Sequence, residues 1–244
     1  EGIFEFGGTN KILRFYGSLG GFTGSIDNVS VKEYLGQSVV PNSGCGSWLF
    51  ESQSTNLIPY SSDFSQWTEV SATTLSNSAI SPSGLLNSSK VIASATNTNH
   101  IIYFVPSVIS TSYTFSLYAK AAEYEKLYIR HGTGVSPTSA VYQLTGDGSV
   151  LETYGSPQGT SITNVGNGWY RITFKNITSD AIFAPNIMGI PNSGYTASEN
   201  SIIFLGDGTS GVYIWGAMLE QGNISSYIPT SGSTVTRNQD VCNN

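Results

Sequence analysis

The 244-residue chain predicts an all-β sandwich of antiparallel strands. Three observations carry that prediction. Apolar and polar residues alternate along many short runs, and turn clusters rich in Gly, Asn, Asp and Pro separate them. Nowhere do apolar residues recur at i, i+3, i+4, i+7 over three turns, the spacing an amphipathic helix needs. Successive side chains of a strand point to opposite sides of its sheet, so alternation marks a strand with one buried face.

In chain order, KILRFYGSLGGFTGSIDNVSVKE (11–33) reads as strand, Gly-rich loop, strand. The segment GSWLFESQSTNLIPYSSDFSQWTEVS (46–71) is less regular and is expected to form a strap with a short strand and a turn at Pro59. Trp48 and Trp67 flank that strap and are expected to pin it down. From Ser71 to Ser89 the composition is rich in Ser, Asn and Thr, which predicts exposed connections.

The alternating runs then follow: SYTFSLYAK (112–120), KLYIRHG (126–132), SAVYQL (139–144), GWYRITFKNI (168–177), NSIIFLG (200–206) and GVYIWGAMLE (211–220). Between them lie TGDGSV (145–150), NVGNG (164–168), IPNSG (190–194) and LGDGTSG (205–211), whose Asp-Gly and Asn-Gly pairs favour tight hairpin turns. Only AKAAEYEKL (119–127) has helix-forming composition, and it sits between two strand-like runs.

The last ribbon, SIIFLGDGTSGVYIWGAMLE (201–220), has the same plan as 11–33. The expected organisation is therefore residues 1–35 as the closing hairpin of a truncated upstream sandwich, 36–55 as a linker or strap, 56–230 as the main sandwich and 231–244 as an outgoing linker. A lone hairpin is marginal in water, so the first ribbon is expected to pack on something.

Hydrophobic residues make up 39% of the chain, enough for a sizeable core. Charged residues are only 11%, against about 25% in an average globular protein. Ser, Thr, Asn and Gly must supply the polar surface, which suits extracellular or virion proteins that meet sugars. The net charge of −6 and pI of 4.8 argue against nucleic acid or an anionic membrane as the main partner. There is no apolar run of about 18 residues, so no membrane-spanning helix is expected. The first residues, EGIFEFGGTN, lack the basic-then-apolar order of a secretory signal. The two cysteines, Cys45 and Cys242, bracket nearly the whole main sandwich. They form either a disulfide, in an oxidising location, or two unrelated thiols.

Catalytic signals are poor. His100 and His131 have no metal-binding spacing, and neither a Cys-x-x-Cys pair nor a Gly-x-Ser-x-Gly elbow occurs. Asp147 and Asp207 sit in Asp-Gly turns, where the side chain caps its own backbone. Glu123 and Glu125 are flanked by lysines and read as a solvated connection rather than the paired acids of a glycosidase. The chain is expected to be no enzyme.

Binding offers a sharper expectation. In SYTFSLYAK the residues Tyr113, Phe115, Leu117 and Ala119 form a core stripe, leaving Tyr118 and Lys120 on the other side. In KLYIRH, Leu127 and Ile129 oppose Tyr128 and Arg130. In GWYRITF, Tyr170, Ile172 and Phe174 oppose Trp169 and Arg171. If these strands share one sheet, its outer face gathers Tyr118, Lys120, Tyr128, Arg130, Trp169 and Arg171. Aromatic rings there would stack on sugars while Arg and Lys donate to hydroxyls or acidic groups. The competing expectations are that such residues form cross-strand pairs that stabilise the sheet, or a contact between subunits. Trp215 is expected under the strap, on one face with Tyr213 and Ala217.

Several motifs point to one family. SWLFESQSTNLIPYSSDFSQW resembles the opening block of modules in phage tail-fibre and head-fibre proteins, and GNGWYRITF and GVYIWGAMLE…SYIPTSGSTVTR are similar to their closing strands and outgoing linker. IDNVSVKEY looks like the last strand of carbohydrate-binding jelly rolls. The resemblance covers about residues 45–240 and implies a jelly-roll sandwich on a virion surface, with host-surface glycans and other fibre subunits or copies of itself as partners and no catalytic residues. In some of those jelly rolls an Asp of the last strand holds a structural calcium. Asp27 matches it, but Trp215 stands at the corresponding place in the main domain, so no cofactor is expected there. The alternatives are a purely structural fibre or capsid-decoration protein and a non-catalytic module of a secreted polysaccharide-degrading enzyme.

Overall fold

The computed structural model describes residues 51–109, 111–131, 137–177 and 184–240, with the backbone of two short strands, β1 (Ile3–Glu5) and β2 (Arg14–Tyr16). Contacts divide the chain into two units. One is Ser54–Arg237 and the other joins Glu1–Gln53 with Asn238–Asn244. In the second unit β1 pairs antiparallel with β2, Phe4 opposite Phe15. The remainder of the first ribbon, Asp27, Trp48 and both cysteines lie outside the described residues.

The larger unit is all-β. Its strands are β3 (Ser54–Asn56), β4 (Thr68–Val70), β5 (Ala72–Ile80), β6 (Leu86–Ala93), β7 (Asn97–Asn99), β8 (Ile101–Tyr103), β9 (Ser112–Ala121), β10 (Lys126–His131), β11 (Thr138–Gln143), β12 (Ser149–Tyr154), β13 (Gly159–Gly166), β14 (Trp169–Ile177), β15 (Pro185–Ile190), β16 (Tyr195–Ala197), β17 (Ile202–Leu205), β18 (Gly211–Gln221) and β19 (Val235–Arg237). Among the described residues the only helical turn is a 3-10 turn at Phe64–Gln66, capped by the Asp63 carboxylate.

Two six-stranded antiparallel sheets make the sandwich. The first runs β13-β14-β9-β18-β6-β5 and the second β12-β11-β10-β15-β8-β4. The chain changes sheet at both lateral edges, from β4 to β5 and from β12 to β13, with Ser71 at φ 49 in the first of these corners.

The core lies between the sheets, and alternation explains its membership. Phe115, Leu117 and Ala119 of β9, Tyr170, Ile172 and Phe174 of β14, and Leu127 and Ile129 of β10 are all buried in it, as their stripes predict. Burying each large side chain contributes about 1.5–3 kcal/mol. Tyr142 on β11 crosses the interface and donates its hydroxyl to the Thr173 carbonyl at 3.0 Å, which burial in the core requires. Gly189 marks the closest approach: a Cβ there would lie 2.7 Å from the Val212 side chain of the opposite sheet.

Two features depart from the expectations. The stretch 71–89 is not connection but a hairpin of two long strands, β5 and β6. As an edge strand β5 buries little, so it can be written in Ser, Asn and Thr and still take a ladder's hydrogen bonds. In addition, a third layer of three strands, β16-β17-β7, accompanies the second sheet. Ser198, between β16 and β17, accepts hydrogen bonds from Tyr128 and Ser139 of that sheet at 2.8 Å each. This cover explains β15 (PNIMGI), whose residues are buried on both faces and so show no alternation.

Candidate functional site

The segments that lead into and out of the sandwich meet each other. Incoming β3 pairs antiparallel with outgoing β19, Thr55 opposite Thr236, and Tyr60 bridges Ser231. Asn56 is fully buried between them. Its amide donates to the carbonyls of Ala217 (3.2 Å) and Ile228 (2.9 Å), and its oxygen accepts from the N–H groups of Ile58 (3.0 Å) and Leu219 (3.1 Å). All four hydrogen bonds an amide side chain can make readily are thus filled. Thr230 and Ser61 exchange N–H to hydroxyl bonds at 2.9 Å, Thr230 also donates to the Ile58 carbonyl, and Tyr227 meets the Ser61 hydroxyl at 2.7 Å. In the other unit the Glu51 and Asp240 segments are likewise tied, the Asp240 N–H donating to the Glu51 carbonyl at 3.0 Å.

The six residues expected on one face are divided between two. Tyr118, Lys120, Trp169 and Arg171 lie on the outer face of the first sheet, because β9 pairs with β14, while Tyr128 and Arg130 belong to β10 in the second. The single-platform expectation is therefore corrected: period-2 alternation assigns a side to each residue but says nothing about which strands are neighbours.

Most of the six are also covered. Tyr118 is 6% exposed, Trp169 2%, Arg171 6% and Tyr128 0%. Their polar ends are tied to main-chain carbonyls. Trp169 donates to Ile80 (3.0 Å), Arg171 to Ser225 (2.5 Å), Lys120 to Asn167 (2.9 Å), Tyr128 to Ser198 (2.8 Å) and Arg130 to Asn200. Arg171 also sits over the Tyr118 ring, 5.6 Å from its centroid. These side chains hold loops onto the sandwich. Burial holds the Tyr128 hydroxyl above its ordinary value and works to lower the Arg130 guanidinium.

Register reveals residues that the sequence did not bring together. Across the first sheet Trp169 is opposite Lys120, Lys120 opposite Tyr213, Tyr213 opposite Lys90, and Lys90 opposite Leu75. Directly opposed residues share a face and lie about 5 Å apart, so these five form one row across the outer face. The next row holds Trp215, Tyr118 and Arg171. Trp215 packs on Tyr118 (5.3 Å) and Tyr227 (4.4 Å), under the outgoing segment.

Ala217 does not join Trp215 and Tyr213, as alternation expected, but lies in the core. A β-bulge between Trp215 and Met218 shifts the register, with Gly216 at φ 65. A Cβ at Gly216 would stand 3.0 Å from the Tyr118 ring and 3.3 Å from Tyr227, so glycine is needed there for space as well as conformation.

The β5–β6 hairpin borders the first row. Only Ser89–Ile92 of β6 pair with β18, yet Ile80, near the hairpin tip, accepts the bond from Trp169 on β14, with three strands between β14 and β5. The tip must therefore bend back across the outer face. The register shifts at Leu75/Ala79 and Ala79/Ile80, with Asn77 at φ 53, supply that bend. Ile80, Leu85 and Leu86 on the tip are exposed.

The acids serve turns and loops. Asp207 accepts from the Ser210 hydroxyl and from the N–H groups of Ser210 and Thr209, which hold its carboxyl well below the usual carboxylate range. Partial burial works to raise Glu123, but the Lys90 ammonium at 2.7 Å and the main-chain N–H of Gly211 hold it low overall. Tyr124 beside them is pushed up to about 12, by burial first and then by Asp207 and Glu123. Glu220 is fully buried, accepting from Ser54 (2.5 Å) and from the Ser225 N–H (3.0 Å). Buried His100 turns both ring nitrogens to backbone carbonyls, Nδ1 to Ser71 and Nε2 to Thr96 and Phe204. Among the described residues no cluster of three or more His, Cys, Asp or Glu side chains could hold a metal, and no helix is long and apolar enough to cross a membrane.

No protein-family model matches the chain, and no curated protein matches it either.

Proposed function

We propose that residues 54–237 form a non-enzymatic module of a virion appendage, displayed as a pendant on the chain that carries it. One observation carries this: the incoming and outgoing strands leave the sandwich together, zipped by β3–β19 and locked by Asn56, Ser61 and Thr230. A domain whose two ends pair at one pole can project from a fibre without lengthening it. The resemblance to phage fibre modules supports the virion part, since Thr55, Asn56, Tyr60, Ser61, Tyr227 and Thr230, which carry it, build this lock. Jelly-roll connectivity belongs to the same proposal. The module's primary role is structural, as decoration or building block, with most of its outward Tyr, Trp and Arg side chains held by its own covering segments.

The test has two arms. Limited proteolysis of the full chain should leave a resistant core running from near Ser54 to near Arg237, and antibodies to the module should label intact particles. Cutting within the sandwich first would defeat the pendant arrangement, and absence of the chain from purified particles would defeat the virion assignment. Attachment to host-surface glycans is the second reading, favoured by the half-buried Tyr213 between two lysines.

A further inference from the structure

We infer that the row Lys90–Tyr213–Lys120 on the outer face of the first sheet is a binding strip for a carboxylate-bearing saccharide. The inference rests on the glycan reading above and gives it a site and a ligand class.

The side chains in this row differ from those around them in how their polar groups are used. In the neighbouring row Tyr118, Trp215 and Arg171 are closed over by the outgoing segment. At one end of the row, Trp169 is spent on the hairpin tip. Between them Tyr213, Lys90 and Lys120 are only half-buried, and the Tyr213 hydroxyl makes no hydrogen bond among the described residues. Lys120 uses one donor, on the Asn167 carbonyl, and Lys90 uses two, on Glu123 and the Thr209 carbonyl. An ammonium carries three donors, so both lysines have capacity left. In that neighbouring row Trp215 is 6% exposed, and among the described residues its indole N–H has no partner, an uncommon state for a buried donor.

These groups define what fits. Ammonium and phenol groups offer donors, and only the phenol oxygen also accepts, so the ligand must be rich in acceptor oxygens and carry negative charge. Tyr213 adds an aromatic body to which the C–H face of a sugar ring can pack, with a lysine on either side about 5 Å away to take a carboxylate. Register places the three across adjacent strands, and the folded-back hairpin walls the strip on its far side. A ligand therefore lies across the strands, meeting several sugar units in turn. Glu123 offsets part of the Lys90 charge, leaving Lys120 as the stronger carboxylate partner.

The experiment uses the full 244-residue chain, with tetragalacturonate as probe and its methyl ester as the matched neutral control. Calorimetry is expected to give saturable binding of the acid, weaker binding of the ester and loss of affinity with added salt. Tyr213→Ala and Lys120→Met should each weaken the acid about tenfold, Lys120→Arg should retain it, and melting temperatures should stay near that of the parent chain. Tyr213→Phe, which keeps the ring, separates loss of stacking from any loss of fold. No saturable binding of either saccharide overturns this site, and failure to bind any sugar on a glycan array as well overturns the glycan reading. Equal binding of acid and ester, or full affinity in both Tyr213→Ala and Lys120→Met, overturns the site while leaving the glycan reading standing.

Discussion

The outer faces of the two sheets start from the same sequence pattern and end differently. Both present Tyr and a basic residue opposite a core stripe: Tyr128 and Arg130 on β10, Tyr118 and Lys120 on β9. The second sheet is covered by a further layer of strands, so Tyr128 is fully buried and Arg130 donates to Asn200. Among the described residues the first sheet is covered by the outgoing segment and a folded-back hairpin, which leave Tyr213 and Lys120 half-open between them. The difference teaches that an aromatic-and-basic face is not in itself a ligand surface. What covers it decides whether the donors hold loops or remain free.

Mutations that probe this contrast should rank accordingly. Tyr128→Ala removes a fully buried ring and leaves the Ser198 carbonyl with one donor fewer. Chemical denaturation should show a loss of about 3–5 kcal/mol, the range for large aromatic truncations. A loss below about 1 kcal/mol would mean the third layer is loosely held.

Asn56→Ala strips two donors and two acceptors of their partner at the pole where the chain comes in and goes out. It is expected to lower stability by about 2–4 kcal/mol and to expose the β3–β19 pair in hydrogen exchange before the sheets open. Protection of β3 unchanged from the parent would break the view of this pole as a lock.

Trp169→Phe keeps one ring in place but removes the donor to Ile80 and part of the buried volume, and should cost about 1–3 kcal/mol while loosening the hairpin tip. Tyr213→Ala should shift stability by less than about 0.5 kcal/mol, because this ring supports no covering loop. Similar losses at Tyr128 and Tyr213 would erase the distinction between the faces.

The smallest effect is on pH dependence. The Asp207 carboxyl is depressed in the folded state, so its contribution is present above the ordinary aspartate range and fades as pH falls through that range and below. Asp207→Asn should therefore reduce the acid sensitivity of the melting temperature near the β17–β18 turn. An unchanged acid limb would show that this exposed turn contributes nothing measurable.

Much of the fold was legible in the sequence. The inner stripes of β9, β10 and β14 follow from alternation alone, and the Asn167-Gly168 turn, with φ 54 and φ 76, from its residue pair. Other parts were not legible for identifiable reasons. Strand β5 buries too little to carry an apolar stripe, and β15 is buried on both faces and so has no polar one. The bulge at Gly216 reverses the parity of β18 partway along, which moved Ala217 to the core. At the candidate site, Trp169 and Lys120 were found, but Tyr213 and Lys90 were not, since only strand pairing puts them in their row.

The sequence by itself determined which residues are strands and which side of each faces inward, because a strand's two-residue period is a local property of the chain. Tertiary structure alone decided which strands are neighbours and which faces are then covered. Strand β9 takes its partners from β14 and β18, far along the chain, and their pairing depends on the free energy of the whole assembled sandwich rather than on any one segment. The lysines came to flank Tyr213 through that non-local choice.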